Sequence, residues 1–272
     1  MSSIDPTTPV ASDIDVTEAQ VYAAIADVLD PELDESLVKL GFIDRVQVEG
    51  SDVTVVFKLP TYWCAPNFAY LMASDLRARL RTIPGVNTAR VILLDHFVED
   101  EITQGVNENQ PFSQAFAGET LENEDLEELR RTFLRKGFLM RQDTLLRQLL
   151  KAGLDEATIL SLHIADLVVD EVADGAFVTT AGKVLRLERA GRNAALYLRK
   201  RVVLGLFQNE NDLLITDEQG QPISPGSLQE YLRRSRSIRL NIVFNTSMCT
   251  GLFRTRYENA GASEAHREGD IV

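Results

Sequence analysis

The sequence predicts an α+β protein, in which a small mixed β-sheet with two helices is followed by a mostly helical domain with short hairpins. In residues 53–59 every second side chain is apolar and would lie on one face of a strand, while the side chains between them would lie on the other face. This is the pattern of a half-buried strand. Residues 17–29 instead carry apolar side chains on one helical stripe. The net charge of −13 is uneven, because residues 1–120 contain 19 acidic and 7 basic side chains and residues 121–272 contain 22 and 21. This change in composition indicates two domains.

The first predicted domain covers residues 17–98 and follows a disordered N-terminus, residues 1–16, which is rich in Pro, Ser, Thr and Asp. Its first helix begins with Thr17 as N-cap and Gln20 at the capping-box position. The remaining elements are three strands and one helix. Strands at 42–48 and 52–59 are joined by a hairpin at Glu49-Gly50-Ser51, and a helix at 66–81 and a strand at 88–94 follow. A right-handed crossover between the last two strands gives one antiparallel and one parallel pairing.

Residues 99–120 lack periodicity and are predicted to be a linker or mobile loop. The second domain, residues 121–258, is predicted to be mostly helical, and residues 259–272 to be a flexible tail. Its predicted elements are helices at 121–135, 141–152, 155–170, 189–206 and 225–235, hairpins around Asp174-Gly175 and 218–221, and a strand at 238–244.

Composition limits the compartment and the class of protein. No stretch approaches 18 consecutive apolar residues, and the first residues lack the basic and apolar regions of a signal peptide. We therefore expect a cytoplasmic protein that does not engage a membrane. Its two cysteines would both be thiols in a reducing compartment. The acidic first part disfavours nucleic acid and suits a basic partner surface or cations.

Cys64 is the first candidate for chemistry, because it lies where a strand should give way to a helix. Pro60 and Pro66 bracket a short turn that can hold the thiol at a helix N-terminus, where the dipole and backbone N–H groups stabilise thiolate. A thiolate binds soft metals or attacks electrophiles. Thr61 can cap this turn or orient the sulfur, and the aromatic side chains of Tyr62 and Trp63 are typical of a partner contact.

Four ordered motifs resemble those of PaaD/SufT-like metal–sulfur cluster assembly factors over residues 17–97. They are Asp30-Pro31-Glu32, Leu40-Gly41-Phe42-Ile43, Thr61-Tyr62-Trp63-Cys64-Ala65-Pro66 and Ile83-Pro84-Gly85-Val86. The resemblance implies a small α/β domain that takes part in maturing iron–sulfur proteins, and some relatives accompany oxygenase systems. It also implies that Asp30 and Glu32 lie at the edge of the thiol site, although Asp-Pro can simply end a helix. The sequence departs from the family pattern where Ala65 precedes Pro66 and where Asp34-Glu35-Ser36-Leu37 replaces a more apolar run.

Cys249 ends a second Thr-x-x-Cys motif that follows an alternating run, as Cys64 does. Cys249 is either a small buried apolar residue or a second thiolate that joins Cys64 on one metal or cluster. The three histidines, His96, His163 and His266, are poor metal candidates, and no Cys-x-x-Cys or Glu-x-x-His spacing occurs. The chain therefore does not predict a self-sufficient metal site.

The sequence thus predicts a non-catalytic accessory protein, a maturation factor or chaperone that presents Cys64 for transient handling of iron or an iron–sulfur cluster. The helical second domain, residues 121–258, would recognise the client. That client would be a metalloenzyme, by the resemblance an iron-dependent oxygenase such as a di-iron monooxygenase. Basic side chains that include Arg199, Lys200 and Arg201 would contact an acidic surface, either of the client or of the acidic first domain. A homodimer is left open.

Two alternatives belong to other classes. One is a DNA-binding regulator with a helix–turn–helix near residues 145–170, with Gly153 in the turn, although acidic side chains on its second helix oppose DNA. The other is a thiol-dependent enzyme, which would need a base beside Cys64 that no neighbouring residue supplies.

Overall fold

A computed structural model describes residues 15–117 and 126–258. The described residues form two compact units that do not correspond to two continuous stretches of chain. The first unit contains residues 15–30, 35–117 and 252–258, and the second contains residues 31–34 and 126–251. None of the helices in these ranges combines the length and apolar character needed to cross a membrane.

The first unit is a three-stranded sheet with helices, preceded by a small two-stranded ladder. Its elements in chain order are α1 (Glu18–Ile25), β1 (Leu29–Asp30), β2 (Glu35–Ser36), α2 (Leu37–Leu40), β3 (Ile43–Glu49), β4 (Asp52–Lys58), α3 (Pro66–Leu80), β5 (Thr88–Leu94), α4 (Glu99–Asn107) and α5 (Phe112–Ala115). The sheet order is β3-β4-β5, and β4 pairs antiparallel with β3 and parallel with β5. The α+β class and both pairings are confirmed.

Local sequence signals account for these elements. Thr17 caps α1 and forms the predicted capping box with Gln20. Val53, Val55 and Phe57 on one face of the central strand β4 are buried, and Val56 on the other face is buried too. Both faces of β4 are therefore covered at this point, and a strand covered on both faces tolerates apolar residues at consecutive positions.

Residues 99–107 and 112–115 form helices, so the expected lack of regular structure in this segment is wrong. Helix α4 packs against β5 with Ile102 and Val106 buried, and α5 and the residue after it bury Phe112 and Phe116. The side chain of Asn107 also donates a hydrogen bond to the backbone of Val91 in β5, at 2.7 Å. The polar faces of these short helices hide their apolar period, which is why composition indicated a loop. Residues 118–120 lie outside the described residues.

The second unit combines helices with a three-stranded antiparallel sheet of order β6-β7-β8. Its elements in chain order are α6 (Leu126–Lys151), α7 (Glu156–Ser161), β6 (Leu167–Asp170), β7 (Gly175–Thr180), β8 (Lys183–Glu188), α8 (Gly191–Val203) and α9 (Leu228–Phe253). The predicted hairpin at Asp174-Gly175 joins β6 to β7. No strands form around 218–221, where the Asp217 carboxylate instead accepts hydrogen bonds from the N–H groups of Gln219 and Gln221.

Two further predicted elements in this unit are wrong. The segment 238–244 lies inside helix α9 and is not a strand. Its apolar residues occur at every second position, but a set spaced by two also contains a set spaced by four, which fits one helix face equally well. The predicted helix 155–170 ends at Ser161 as α7, and the chain then enters β6. The second helix of a helix–turn–helix therefore has only six residues.

Candidate functional site

The thiol of Cys64 lies in the turn between β4 and α3, in the first unit. The turn ends at Ala65, the N-cap of α3, and Pro66 occupies the first helical position, where a missing N–H costs nothing. Cys64 is partly buried, so it is less open than the exposed turn that the sequence predicts. The hydroxyl of Thr61 and the sulfur of Cys64 are 3.2 Å apart, within hydrogen-bonding distance. This distance suits the predicted role of Thr61 in orienting the sulfur, and that role stays a prediction.

His96 lies beneath this turn, at the end of β5. Its side chain is almost fully buried, and its Nε2 atom is 2.7 Å from the carbonyl oxygen of Cys64. Burial lowers the pKa of His96 below its ordinary value of 6.5, although the hydrogen bond to Cys64 and the charge of Glu99 act in the opposite direction. The imidazole thus holds the backbone of the thiol turn. Its Nε2 atom is engaged by that carbonyl, so this contact does not make His96 a base for the sulfur.

The sequence reasoning passed over His96, although a signal for it exists. In the parallel pair β4–β5, Lys58 lies opposite Leu94, so the residues that follow both strands emerge at the same sheet edge. His96 comes two positions after Leu94, and the thiol turn follows Lys58. The expected parallel pairing of the two strands therefore predicts that His96 lies near Cys64.

Three aromatic side chains, Tyr62, Trp63 and Phe97, form an exposed group beside the thiol, here called the aromatic cluster. Their exposed fractions are 44%, 73% and 39%. The ring of Trp63 lies 5.0 Å from that of Tyr62 and 5.4 Å from that of Phe97, centroid to centroid. Large aromatic rings left in water beside a reactive group are typical of a partner contact. Phe97 was not among the predicted contacts.

Residues 253–257, here called the strap, pack against the same sheet edge. The guanidinium of Arg256 donates hydrogen bonds to the carbonyls of Leu59, at 3.3 Å, and Asp95, at 2.8 Å. Leu59 precedes the thiol turn and Asp95 precedes His96, so one side chain ties together the two chain segments that carry the site. The ring of Phe253 anchors the strap 5.0 Å from the ring of Phe42.

Tyr257 completes the wall of the site. Its hydroxyl is 3.4 Å from the carbonyl of Leu59, and the ammonium of Lys58 lies 5.0 Å from its ring centre. Burial raises the pKa of Tyr257 to about 12, an effect that Arg256 partly offsets and that the charges of Asp95 and Cys64 reinforce. The phenol is therefore protonated at neutral pH and presents a neutral hydroxyl near the sulfur.

The other predicted site residues lie elsewhere. Asp30 is buried in β1, where it pairs with Glu35 of β2 in an antiparallel ladder. Glu32 belongs to the second unit, where its carboxylate accepts a hydrogen bond from Asn245 at 3.3 Å. Their placement at the edge of the thiol site stays a prediction.

Cys249 lies on α9 in the second unit and is partly buried. It does not end a strand as Cys64 does, so the structural parallel between the two cysteines is wrong. Within residues 15–117 and 126–258, no three His, Cys, Asp or Glu side chains group so as to hold a metal ion. Of the two cysteines of the chain, Cys64 is the one in the first unit.

The predicted partner contacts on α8 have three different environments. Arg199 is exposed and pairs with Glu171, at 2.9 Å. Lys200 is buried and forms an ion pair with Asp34, while Arg201 is buried and donates to the carbonyls of Leu206 and Leu214. A basic stripe was expected because charges normally face water. Lys200 and Arg201 instead hold the second unit together, so their predicted partner contact is wrong.

Residues 18–91 match the model of a protein family described as iron–sulfur cluster assembly protein. No curated protein and no solved structure matches the chain. The first part of the chain therefore contains a domain of the iron–sulfur assembly type, which supports a general role in iron–sulfur cluster assembly. The matched residues include Thr61 and Cys64, whereas His96, Phe97 and the strap lie beyond them.

Proposed function

We propose that this protein is an accessory maturation factor that delivers iron or an iron–sulfur cluster to a client metalloenzyme, with Cys64 as its transient ligand. The observation that carries the proposal is the position of Cys64 inside the matched assembly domain, with its sulfur at hydrogen-bonding distance from Thr61. The thiolate is the form of cysteine that binds iron.

A single sulfur suits transfer better than storage. Structural metal and cluster sites in proteins use about four ligands, and affinity falls steeply when fewer are supplied. With one thiolate bound, the iron or cluster keeps free coordination positions. The cysteines of a client can occupy these positions before the sulfur of Cys64 dissociates. This sequence of ligand exchange requires only that the client reach the sulfur.

The aromatic cluster is the proposed contact for the client. Trp63 is adjacent to Cys64 and is 73% exposed, so a surface docking on it would arrive next to the thiol. Aromatic side chains of this size dominate binding energy in many interfaces because they bury a large area with few rotatable bonds. Residues 1–120 contain an excess of acidic side chains, which favours cations or a basic partner surface.

For the client we propose an iron-dependent oxygenase, with di-iron monooxygenases as the leading class. This step rests on the association of similar domains with oxygenase systems and not on a residue of this chain. It is therefore tested separately from iron binding.

The binding test uses ferrous iron and sulfide added to the purified protein without oxygen, with absorption and Mössbauer spectra as the readout. We expect wild-type protein and Cys249→Ser to show iron–thiolate signals and Cys64→Ser to lack them. Cys249→Ser is the matched control, because it removes the other thiol of the chain. Equal signals from Cys64→Ser and wild type would remove Cys64 from the mechanism.

The client test replaces the chromosomal gene with the Cys64→Ser form in the source organism. We expect iron-dependent oxygenases purified from that strain to contain less iron and to regain activity when iron and sulfide are supplied in vitro. Fully loaded oxygenases in the variant strain would contradict the oxygenase client while leaving the binding test unaffected.

A further inference from the structure

One face of helix α9 is apolar and exposed to water. Leu240, Val243, Phe244, Met248 and Leu252 have exposed fractions of 45%, 49%, 66%, 47% and 42%. The opposite face of the same helix is the buried one, with Ser235 and Ile242 among its contacts with the core. A helix that is apolar on both faces needs a second partner for its outer face.

The exposed face carries a ridge and a shallow row side by side. Leu240, Phe244, Met248 and Leu252 are spaced by four and form a ridge of large side chains along α9. The neighbouring row, Val243, Ser247 and Gly251, has the same spacing but smaller side chains, and a Cβ added at Gly251 would meet no atom within 4 Å. Ridges of one helix pack into such rows of another, most often with both rows spaced by four.

The ridge is also symmetric about its middle. Leu240 and Leu252 lie at equal distances from position 246, and so do Phe244 and Met248. A twofold axis at that level would place Leu240 of one copy near Leu252 of the other, and Phe244 near Met248. The face is therefore self-complementary, because each half of the ridge can pack against the other half in a second copy. An interface between two identical subunits requires this property.

The size of the face fits this partner. With about 200 Å² for a fully exposed large apolar residue, the five exposed fractions correspond to roughly 500 Å² per copy, near the upper limit for an apolar patch on a monomer. Two copies would bury about 1,000 Å² together, near the threshold for a specific interface.

We propose that this face of α9 is a dimer interface, in which α9 of one copy packs antiparallel on α9 of a second copy of the chain. The symmetry of the ridge selects the antiparallel direction, because a twofold axis across α9 places Leu240 of one copy near Leu252 of the other, whereas a parallel pair would place each residue near its own counterpart.

The test is sedimentation velocity of the full chain at micromolar concentrations. We expect wild-type protein to sediment with twice the mass of one chain. Phe244→Glu should weaken the dimer by about 100-fold or more, because two carboxylates would enter an apolar contact. Phe244 is 66% exposed, so the folded chain should tolerate this change. Val203→Glu is the matched control, since Val203 is 71% exposed on helix α8.

A second variant tests the direction of the helices. Adding Met248→Lys to Phe244→Glu should restore dimerisation to within about tenfold of wild type, because the introduced carboxylate of one copy then faces the introduced ammonium of the other. Monomeric wild-type protein would overturn the proposal, as would a dimer that Phe244→Glu leaves intact. Failure of the double variant to recover would overturn the antiparallel register.

Discussion

Replacement of Arg256 by alanine should loosen the strap from the thiol site. Arg256 donates hydrogen bonds to the carbonyls of Leu59 and Asp95 and lies 5.0 Å from the ring centre of Tyr257. Hydrogen bonds from charged donors contribute about 1.5–3 kcal/mol each, but Arg256 is only half-buried, so we expect Arg256→Ala to cost about 2 kcal/mol in total. By the relation of tenfold per 1.4 kcal/mol, the detached strap would become roughly 30 times more populated.

Trp63 makes this change measurable, because it is the only tryptophan and lies beside Cys64 in the first unit. Its fluorescence during urea unfolding reports the stability of the unit that contains the strap. The rate of Cys64 alkylation, measured in a Cys249→Ser background, reports access to the sulfur. We expect Arg256→Ala to lower the urea midpoint and to speed alkylation several-fold.

The control is Arg254→Ala, which changes the same residue type in the neighbouring turn. The side chain of Arg254 is 66% exposed, and its ion pair with Glu258 is long, at 3.9 Å. Its loss should change stability by about 0.5 kcal/mol or less. If the two variants behave alike in both assays, the strap does not support the thiol site.

Two further predictions concern buried charge. Asp34 is buried between Arg141 and Lys200, at a positive φ of 53°. Because asparagine tolerates this conformation, Asp34→Asn removes the charge without straining the backbone. We expect it to lower the free energy of unfolding, measured in urea by circular dichroism, by about 3–5 kcal/mol. A loss under about 1 kcal/mol would contradict this role. His96 is buried with its pKa lowered, so the folded protein takes up this proton less readily than the unfolded chain. Stability should therefore fall as the pH drops below 6.5, and His96→Gln should flatten that decline; an equally steep decline in the variant would contradict this prediction.

Most helices and strands between residues 17 and 94 were predictable because their signals are local. The capping box at Thr17 and Gln20 lies within one turn, and the alternation of β4 lies within one strand. The thiol turn could be located for the same reason, since Pro60 and Pro66 flank it. A short pattern of this kind specifies its own structure with little help from the rest of the chain.

The remaining parts of the site depend on contacts between distant residues. Arg256 reaches Leu59 across 197 residues, and Arg141 reaches Asp34 across 107. Neither pair shares a motif, so a single sequence does not reveal them. The departure from the family pattern at Asp34 is the one local trace of these contacts. It becomes intelligible once Asp34 is seen as the counterion of Arg141 and Lys200.

The position of the strap in the chain affects the order of events during synthesis. Cys64 and the aromatic cluster leave the ribosome early, but Arg256 follows Leu59 by 197 residues. At about 5–20 residues per second, the thiol turn waits roughly 10–40 s for the side chain that ties down its two flanking segments. A nascent chain therefore exposes an unbraced thiol until the strap has been synthesised, and only then can the wall of the site close.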